Sequence, residues 1–108
     1  MLKKTASNKR AALPRASDYS RDFLRDWERL SHSGRYDLNK LKAVMALIFA
    51  NEGPLPPEWK DHELVGNWTG FRECHIGGDF LLIYKLGKAG KYEMVVFTRT
   101  GTHAELFA

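Results

Sequence analysis

The sequence predicts an α+β fold: a small, twisted, mostly antiparallel sheet with an N-terminal two-helix hairpin packed on one face and a short C-terminal helical turn. Three observations predict it. Apolar residues recur with helical period in two stretches between residues 17 and 50. Three strand-like runs follow, separated by glycine-bearing turns. The helical signals precede the strand signals instead of alternating with them, which separates helices from a strand meander.

The elements follow in order. Residues 1–9 are polar and basic, with the composition of a disordered tail, and residues 10–108 form the single domain. The run Arg10 to Ala16 has the look of a short first strand, which Pro14 confines to a sheet edge. Ser17 or Asp18 can cap a helix reaching about Ser31. Its apolar stripe is Tyr19, Phe23, Trp27 and Leu30, and its other side carries Arg21, Asp22, Arg25, Asp26 and Arg29. Arg21, Arg25 and Arg29 are four residues apart and make a basic row.

Gly34 pivots the next turn. Asp37 caps a second helix, Leu38 to Ala50, whose buried face is Leu38, Leu41, Met45 and Ile48, widened by Val44 and Leu47. Gly53 and three prolines end it. The run WTGFRECHI passes through Gly77-Gly78 into DFLLIYKL, and GKAGK turns the chain into YEMVVFTRT. A two-residue Gly77-Gly78 hairpin would pair Ile76 with Asp79 and His75 with Phe80, leaving Asp79 on the other face unless a bulge intervenes or it lies at the strand tip. In the last strand, Val95, Phe97 and Arg99 would share one face. At the end, Thr102-x-x-Glu105 is a capping box that makes His103 the first residue of a closing helical turn.

Composition narrows the function. No apolar run approaches the ~18 residues of a membrane span, and the basic start lacks the apolar segment of a signal peptide. The lone Cys74 forms no intrachain disulfide, so a cytoplasmic location is the default expectation. The net charge of +4 is uneven. Residues 1–42 hold eleven Lys/Arg and five Asp/Glu, a net +6; residues 43–108 hold six and eight, a net −2. A basic half points to a polyanion, with nucleic acid first.

Four histidines occur, and His32 reads as exposed turn filler. His62, His75 and His103 lie in the C-terminal half, with Asp61, Asp79 and Arg99. No pair has the H-x-x-x-H spacing of a helical metal site and Cys74 has no partner, so neither metal nor cofactor is expected. Histidines near an arginine suit metal-free RNA cleavage by the 2′-hydroxyl. One group removes that proton, another protonates the leaving oxygen, and the arginine steadies the phosphate charge.

Four stretches, DLNKLKAVMALI, LPPEWKDHELVGNWTGFRECHI, DFLLIYKL and RTGTHAELF, resemble the YafQ branch of the RelE/ParE toxin superfamily. The resemblance implies a RelE-like fold and a ribosome-dependent endoribonuclease (mRNA interferase) of a type II toxin–antitoxin system. Such a protein cuts mRNA in the ribosomal A site without metal. It implies a cognate antitoxin, the small-subunit rRNA of the ribosome and mRNA as partners, and no membrane. The family's functional positions fall on His62, His75, Asp79, Arg99, His103 and Phe107. His62 and Asp79 would remove the proton or support its removal, His103 would be the general acid, Arg99 would hold the scissile phosphate, and Phe107 would stack on a base. The family's tryptophan after the aspartate is Phe80 here, a substrate-contact candidate without the indole donor. Arg21, Arg25, Arg29, Lys40 and Lys42 would meet ribosomal RNA phosphates. The alternatives are a non-enzymatic ParE-like toxin, disfavoured by the histidine set, and an RNA-binding module whose histidines are structural.

Overall fold

A computed structural model describes residues 13–107. The expected basic tail, and the first half of the expected Arg10–Ala16 strand, lie outside them. The described chain runs β1 (Ala16–Tyr19), α1 (Arg21–Ser33), α2 (Leu38–Ala50), a 3-10 turn (Pro57–Trp59), β2 (His62–Glu63), a second 3-10 turn (Gly66–Trp68), β3 (Arg72–Gly77), β4 (Phe80–Ala89), β5 (Tyr92–Gly101) and α3 (His103–Phe107). The sheet order is β1-β5-β4-β3-β2. All neighbours are antiparallel except β1, which pairs parallel to β5 from Ala16↔Met94 to Tyr19↔Phe97.

The first strand and first helix both begin later than the sequence suggested. Ser17 to Tyr19 are spent on sheet pairing with β5. Ser20, whose N–H still donates to the Phe97 carbonyl at 3.0 Å, ends that pairing and is the cap. Its Oγ accepts from the Phe23 N–H at 2.9 Å and donates to the Thr98 carbonyl at 2.6 Å. Tyr19 is strand, not helix, and stacks on Phe23 and Phe97 with ring centroids 5.6 and 5.8 Å apart. The second helix keeps its expected bounds, with the Asp37 carboxylate accepting from the Lys40 N–H at 3.0 Å.

Two apolar clusters flank the sheet. Phe23 and Leu30 of α1, with Leu41, Val44 and Ile48 of α2, bury against Cys74, Ile76, Phe80, Leu82, Tyr84, Val95 and Phe97. Leu81, Ile83 and Leu106, with Leu64, Trp68 and Phe71, form a smaller cluster on the other face. α1 departs from the expected pattern at Asp26, which was placed on the polar side but is only 2% exposed.

The β3–β4 hairpin also differs. His75 pairs with Leu81 and Gly77 with Phe80, so Ile76 is an extra, bulged residue. The turn pivots on Gly78-Asp79, with Gly78 at φ 54° in the left-handed region. Neither expected pair, Ile76–Asp79 or His75–Phe80, forms. A second bulge falls at Thr98, because Tyr84 pairs with Phe97 but Ile83 pairs with Arg99. Phe97 and Arg99 thus lie opposite adjacent residues of β4 and do not share a face.

These shifts correct the role expected for Phe80. As the first paired residue of β4 it turns toward the helices, is 4% exposed and packs on the Tyr36 ring at 5.0 Å. A ring so covered cannot stack on RNA. Phe80→Ala should cost about 3–5 kcal/mol of stability, as large aromatic truncations in cores do. Urea unfolding measures this directly. Phe80→Leu, which keeps most of the buried surface, should retain the fold and normal activity.

Candidate active site

Cross-strand pairs share a face, and so do residues two apart on one strand. His62 pairs with Glu73, Glu73 with Ile83, and Ile83 with Arg99. A second row runs His75, Leu81, Gly101. Both rows lie on the sheet face away from the α1–α2 core, above Leu81, Ile83 and Leu106.

The centre of the first row is Glu73, a residue the sequence reading overlooked. Its side chain is 5% exposed, and its Oε1 lies 3.4 Å from Nε2 of both His62 and His75. His62 Nδ1 is 2.8 Å from the Lys60 carbonyl. A carbonyl only accepts, so Nδ1 carries the proton and Nε2 is the nitrogen turned to Glu73. The preceding Asp61 fixes this segment by accepting from Arg72 Nη2 at 2.7 Å, from Arg72 Nε at 3.2 Å and from the Tyr84 hydroxyl. One signal for Glu73 existed: it sits two residues before His75, on the same face of one strand.

The rings continue outward. His62 and His75 centroids are 6.0 Å apart, His75 and His103 6.3 Å, and His103 and Phe107 5.8 Å. Phe107 is 40% exposed and meets Trp68 edge-on at 5.7 Å, which leaves much of its ring surface open.

His103 opens α3 as expected. The Thr102 N–H donates to Glu105 Oε1 at 2.9 Å and the Glu105 N–H to Thr102 Oγ1 at 3.2 Å, both halves of the capping box. Asp79, at the hairpin tip, is outside the strand alternation and reaches His103 instead. Its Oδ1 accepts from the ring Nδ1 at 2.5 Å and from the His103 N–H at 3.2 Å. The bond from the His103 ring, then that from its backbone N–H, holds the Asp79 carboxyl below its ordinary range. Asp79 is thus suited to orienting His103 and poorly suited to removing a proton.

Arg99 has an unexpected partner. Its Nε and Nη2 donate to Asp26 Oδ2 and Oδ1 at 2.7 and 3.1 Å. The same carboxylate accepts from Arg29 Nη1 at 2.8 Å and from the Thr100 N–H at 3.1 Å. Burial pushes the Asp26 carboxyl up, but the bonds from Arg99, Arg29 and Thr100 outweigh it and leave it below its ordinary value of 3.8. Arg99 is therefore no loosely held surface arginine: its removal strips a buried carboxylate of its two-pronged partner. Arg29 stays 42% exposed but is engaged by Asp26, by the Thr100 carbonyl at 3.4 Å and by Glu105 at 3.3 Å, so its guanidinium is not the free RNA contact expected.

Of the other basic residues, Arg21 and Arg25 are exposed on α1. Lys42 lies 5.8 Å over the Trp27 ring. Lys40 joins the site through a cavity of about 230 Å³ that it lines with Trp59, Lys60, His75 and Gly77.

His62, Glu73 and His75 could also hold a metal ion, since one ligand atom from each lies within 4.8 Å of the others. Two imidazoles and a carboxylate are a common zinc or copper donor set. Local spacing did not reveal it because strand pairing, not a helical turn, assembles it.

A helix pair on a mixed sheet is a fold shared with solved toxins of type II toxin–antitoxin modules. Residues 15–108 match the family described as bacterial toxin of type II toxin–antitoxin system, YafQ, and the chain belongs to that family. It is 42% identical over 95 residues to the mRNA interferase toxin YafQ of Escherichia coli K12, spanning 88% of this chain and 98% of the relative. Against YafQ in the crystal structure of the E. coli DinJ–YafQ toxin–antitoxin complex the TM-score is 0.76, with 42% identity and coverage of 89% and 100%. A metal-bound toxin from Helicobacter pylori aligns with TM-score 0.73 at 35% identity, covering 86% of this chain and 99% of that one.

The Asp26 cluster gives a pH signature. A carboxyl whose folded pKa lies below its unfolded one contributes stability that is complete above the unfolded value. That contribution is lost as pH falls through the folded value. Here the loss begins below the ordinary 3.8. Asp26→Asn lacks this contribution, so its stability deficit against wild type should shrink as pH falls from about 6 to about 3. Denaturant unfolding at both pH values checks it.

Proposed function

We propose that this protein is an endoribonuclease toxin that cuts mRNA in the ribosomal A site by metal-independent acid–base chemistry and is neutralised by a cognate antitoxin. The observation that carries the reading is the joining of His62, Glu73, His75 and His103 on one open sheet face, with Arg99 in the same cross-strand row. The mRNA interferase activity of the E. coli relative and its complex with DinJ support the activity and the antitoxin partner.

The chemistry assigns itself by what each group has left to give. The 2′-hydroxyl proton goes to the His62–Glu73–His75 group, where nitrogen and carboxylate lone pairs meet within ion-pair distance. Negative charge builds on the phosphate as the 2′-oxygen attacks, and Arg99 stabilises it. His103 has Nδ1 committed to Asp79, so Nε2 is the nitrogen that protonates the departing 5′-oxygen. The products are a 2′,3′-cyclic phosphate and a free 5′-hydroxyl. Phe107, half exposed beside His103, walls an mRNA base. Arg21, Arg25, Lys40 and Lys42 contact ribosomal RNA phosphates, which makes binding fall with salt.

Induction in bacterial cells tests the reading. Wild type should arrest growth and leave messages cut within codons, while His103→Ala should cleave at least ~10²-fold more slowly. Intact messages after wild-type induction would sink it. In purified translation reactions, EDTA should leave cleavage unchanged. Added Zn²⁺ or Cu²⁺ should inhibit by occupying His62, Glu73 and His75, and Glu73→Gln should weaken that inhibition.

A further inference from the structure

Asp26 is hard to explain as packing. It interrupts the apolar face of α1 between Phe23 and Leu30, is 2% exposed, and belongs to no part of the histidine cluster. A buried carboxylate is also a liability in a protein that must approach a polyanion. What Asp26 holds is specific. A guanidinium offers two forks, one made by Nε and Nη2 and one by Nη1 and Nη2. Asp26 takes the first fork completely, with one oxygen on each nitrogen. Nη1 has no partner among the described residues.

We propose that Asp26 is a positioning residue for the reaction: by gripping the Nε–Nη2 fork of Arg99 it presents the Nη1–Nη2 fork to the scissile phosphodiester. The inference rests on the reading of Arg99 as the phosphate-binding residue. Several features support it. The Thr100 N–H donates to Asp26 Oδ2 at 3.1 Å, so the carboxylate is itself fixed by the strand that carries Arg99. Arg29 donates to Oδ1 from the following turn of α1, so rotation about the Asp26 side chain is blocked from both sides. Arg99 stands two strands from Glu73 in one paired row, about 10 Å at the usual strand spacing. At that backbone separation one phosphodiester is within reach of both side chains.

The charges suit the task. Arg99 and Arg29 are balanced at rest by Asp26 and Glu105. The cluster is neutral without RNA, and the added phosphate charge meets a fork already aimed. A free arginine would have to lose its side-chain freedom on binding; here that ordering is complete beforehand.

Single-turnover cleavage of mRNA on programmed ribosomes tests this with Arg99→Ala, Asp26→Asn, Asp26→Glu and the double variant Asp26→Asn/Arg99→Ala. Melting temperature is recorded for each, and rates are corrected for the folded fraction. Arg99→Ala should lower the cleavage rate by about 10²–10³-fold. Asp26→Asn should lower it by about tenfold or more with the half-saturating toxin concentration nearly unchanged, because the grip loosens while the guanidinium charge stays. Asp26→Glu keeps the charge and shifts the fork by one methylene, so it should also be slow despite a near-native melting temperature. The double variant should be no slower than Arg99→Ala, since Asp26 acts only through that arginine. Normal rates in folded Asp26→Asn or Asp26→Glu, with Arg99→Ala slow, would overturn the proposal. So would losses that multiply in the double variant. A full rate in Arg99→Ala is a different failure: it would remove Arg99 from the mechanism and the proposal with it.

Discussion

Two bulges, at Ile76 and Thr98, decide which side chains of β3, β4 and β5 meet. If β4 and β5 kept the register of Tyr84↔Phe97, Leu82 would lie opposite Arg99, and the arginine would point into the core beneath the helices. The extra residue at Thr98 moves Arg99 opposite Ile83, onto the face of Glu73 and His75. The bulge at Ile76 does the same for the hairpin tip. Without it the register would leave Gly78 alone as the turn; with it, Gly78-Asp79 makes an allowed two-residue turn and Asp79 swings out to His103. Both bulges therefore build the site, and the rest of the sheet stays regular.

The site is held by α1 and α3 as well as by strands. The α1 helix reaches the end of β5 through Asp26 and Arg29, and Arg29 continues to Glu105, whose other oxygen caps α3 at Thr102. The chain of contacts passes from the first helix to the residue before His103. Gly101 marks how tight this junction is: a Cβ there would sit 2.6 Å from Glu105 Oε1 and 3.0 Å from Arg29 Nη2, at a φ of 154°. A five-residue helix at the end of the chain has little stability of its own. Its order comes from this capping box, from Leu106 buried against Leu81 and Ile83, and from the Arg29 contact.

Local signals in the sequence were read correctly where the structure is local. The bounds of α2, its Asp37 cap, the capping box at Thr102 and the three-strand meander all follow from neighbours in the chain. Long-range pairing overrode local preference elsewhere. Ser17 and Asp18 are good caps, but β5 recruits them as strand and Ser20 caps instead. Bulges cannot be seen in an apolar–polar alternation, so Phe80 and Arg99 were assigned to the wrong faces. Glu73 and Asp26 were missed for one reason: each is an acidic residue in an apolar setting, whose meaning appears only with its cross-strand or cross-helix partners. The histidines, Arg99 and Asp79 stand out in the sequence because their residue types carry chemistry wherever they stand.

The division of labour among the carboxylates follows from the same geometry. Asp79 is exposed and bonded to one histidine, so it can turn that ring without being desolvated. Glu73 is buried between two histidines, where its lone pairs have no competing cation on the described chain closer than those rings. Asp26 is buried against guanidiniums that never lose their charge, which keeps it ionised and unable to take part in proton transfer. Three acids within one small domain thus have distinct partners: one orients a histidine, one joins two, and one grips an arginine. The proposed metal-independent reaction would rely on that separation, with acid, base and phosphate clamp each held by its own carboxylate.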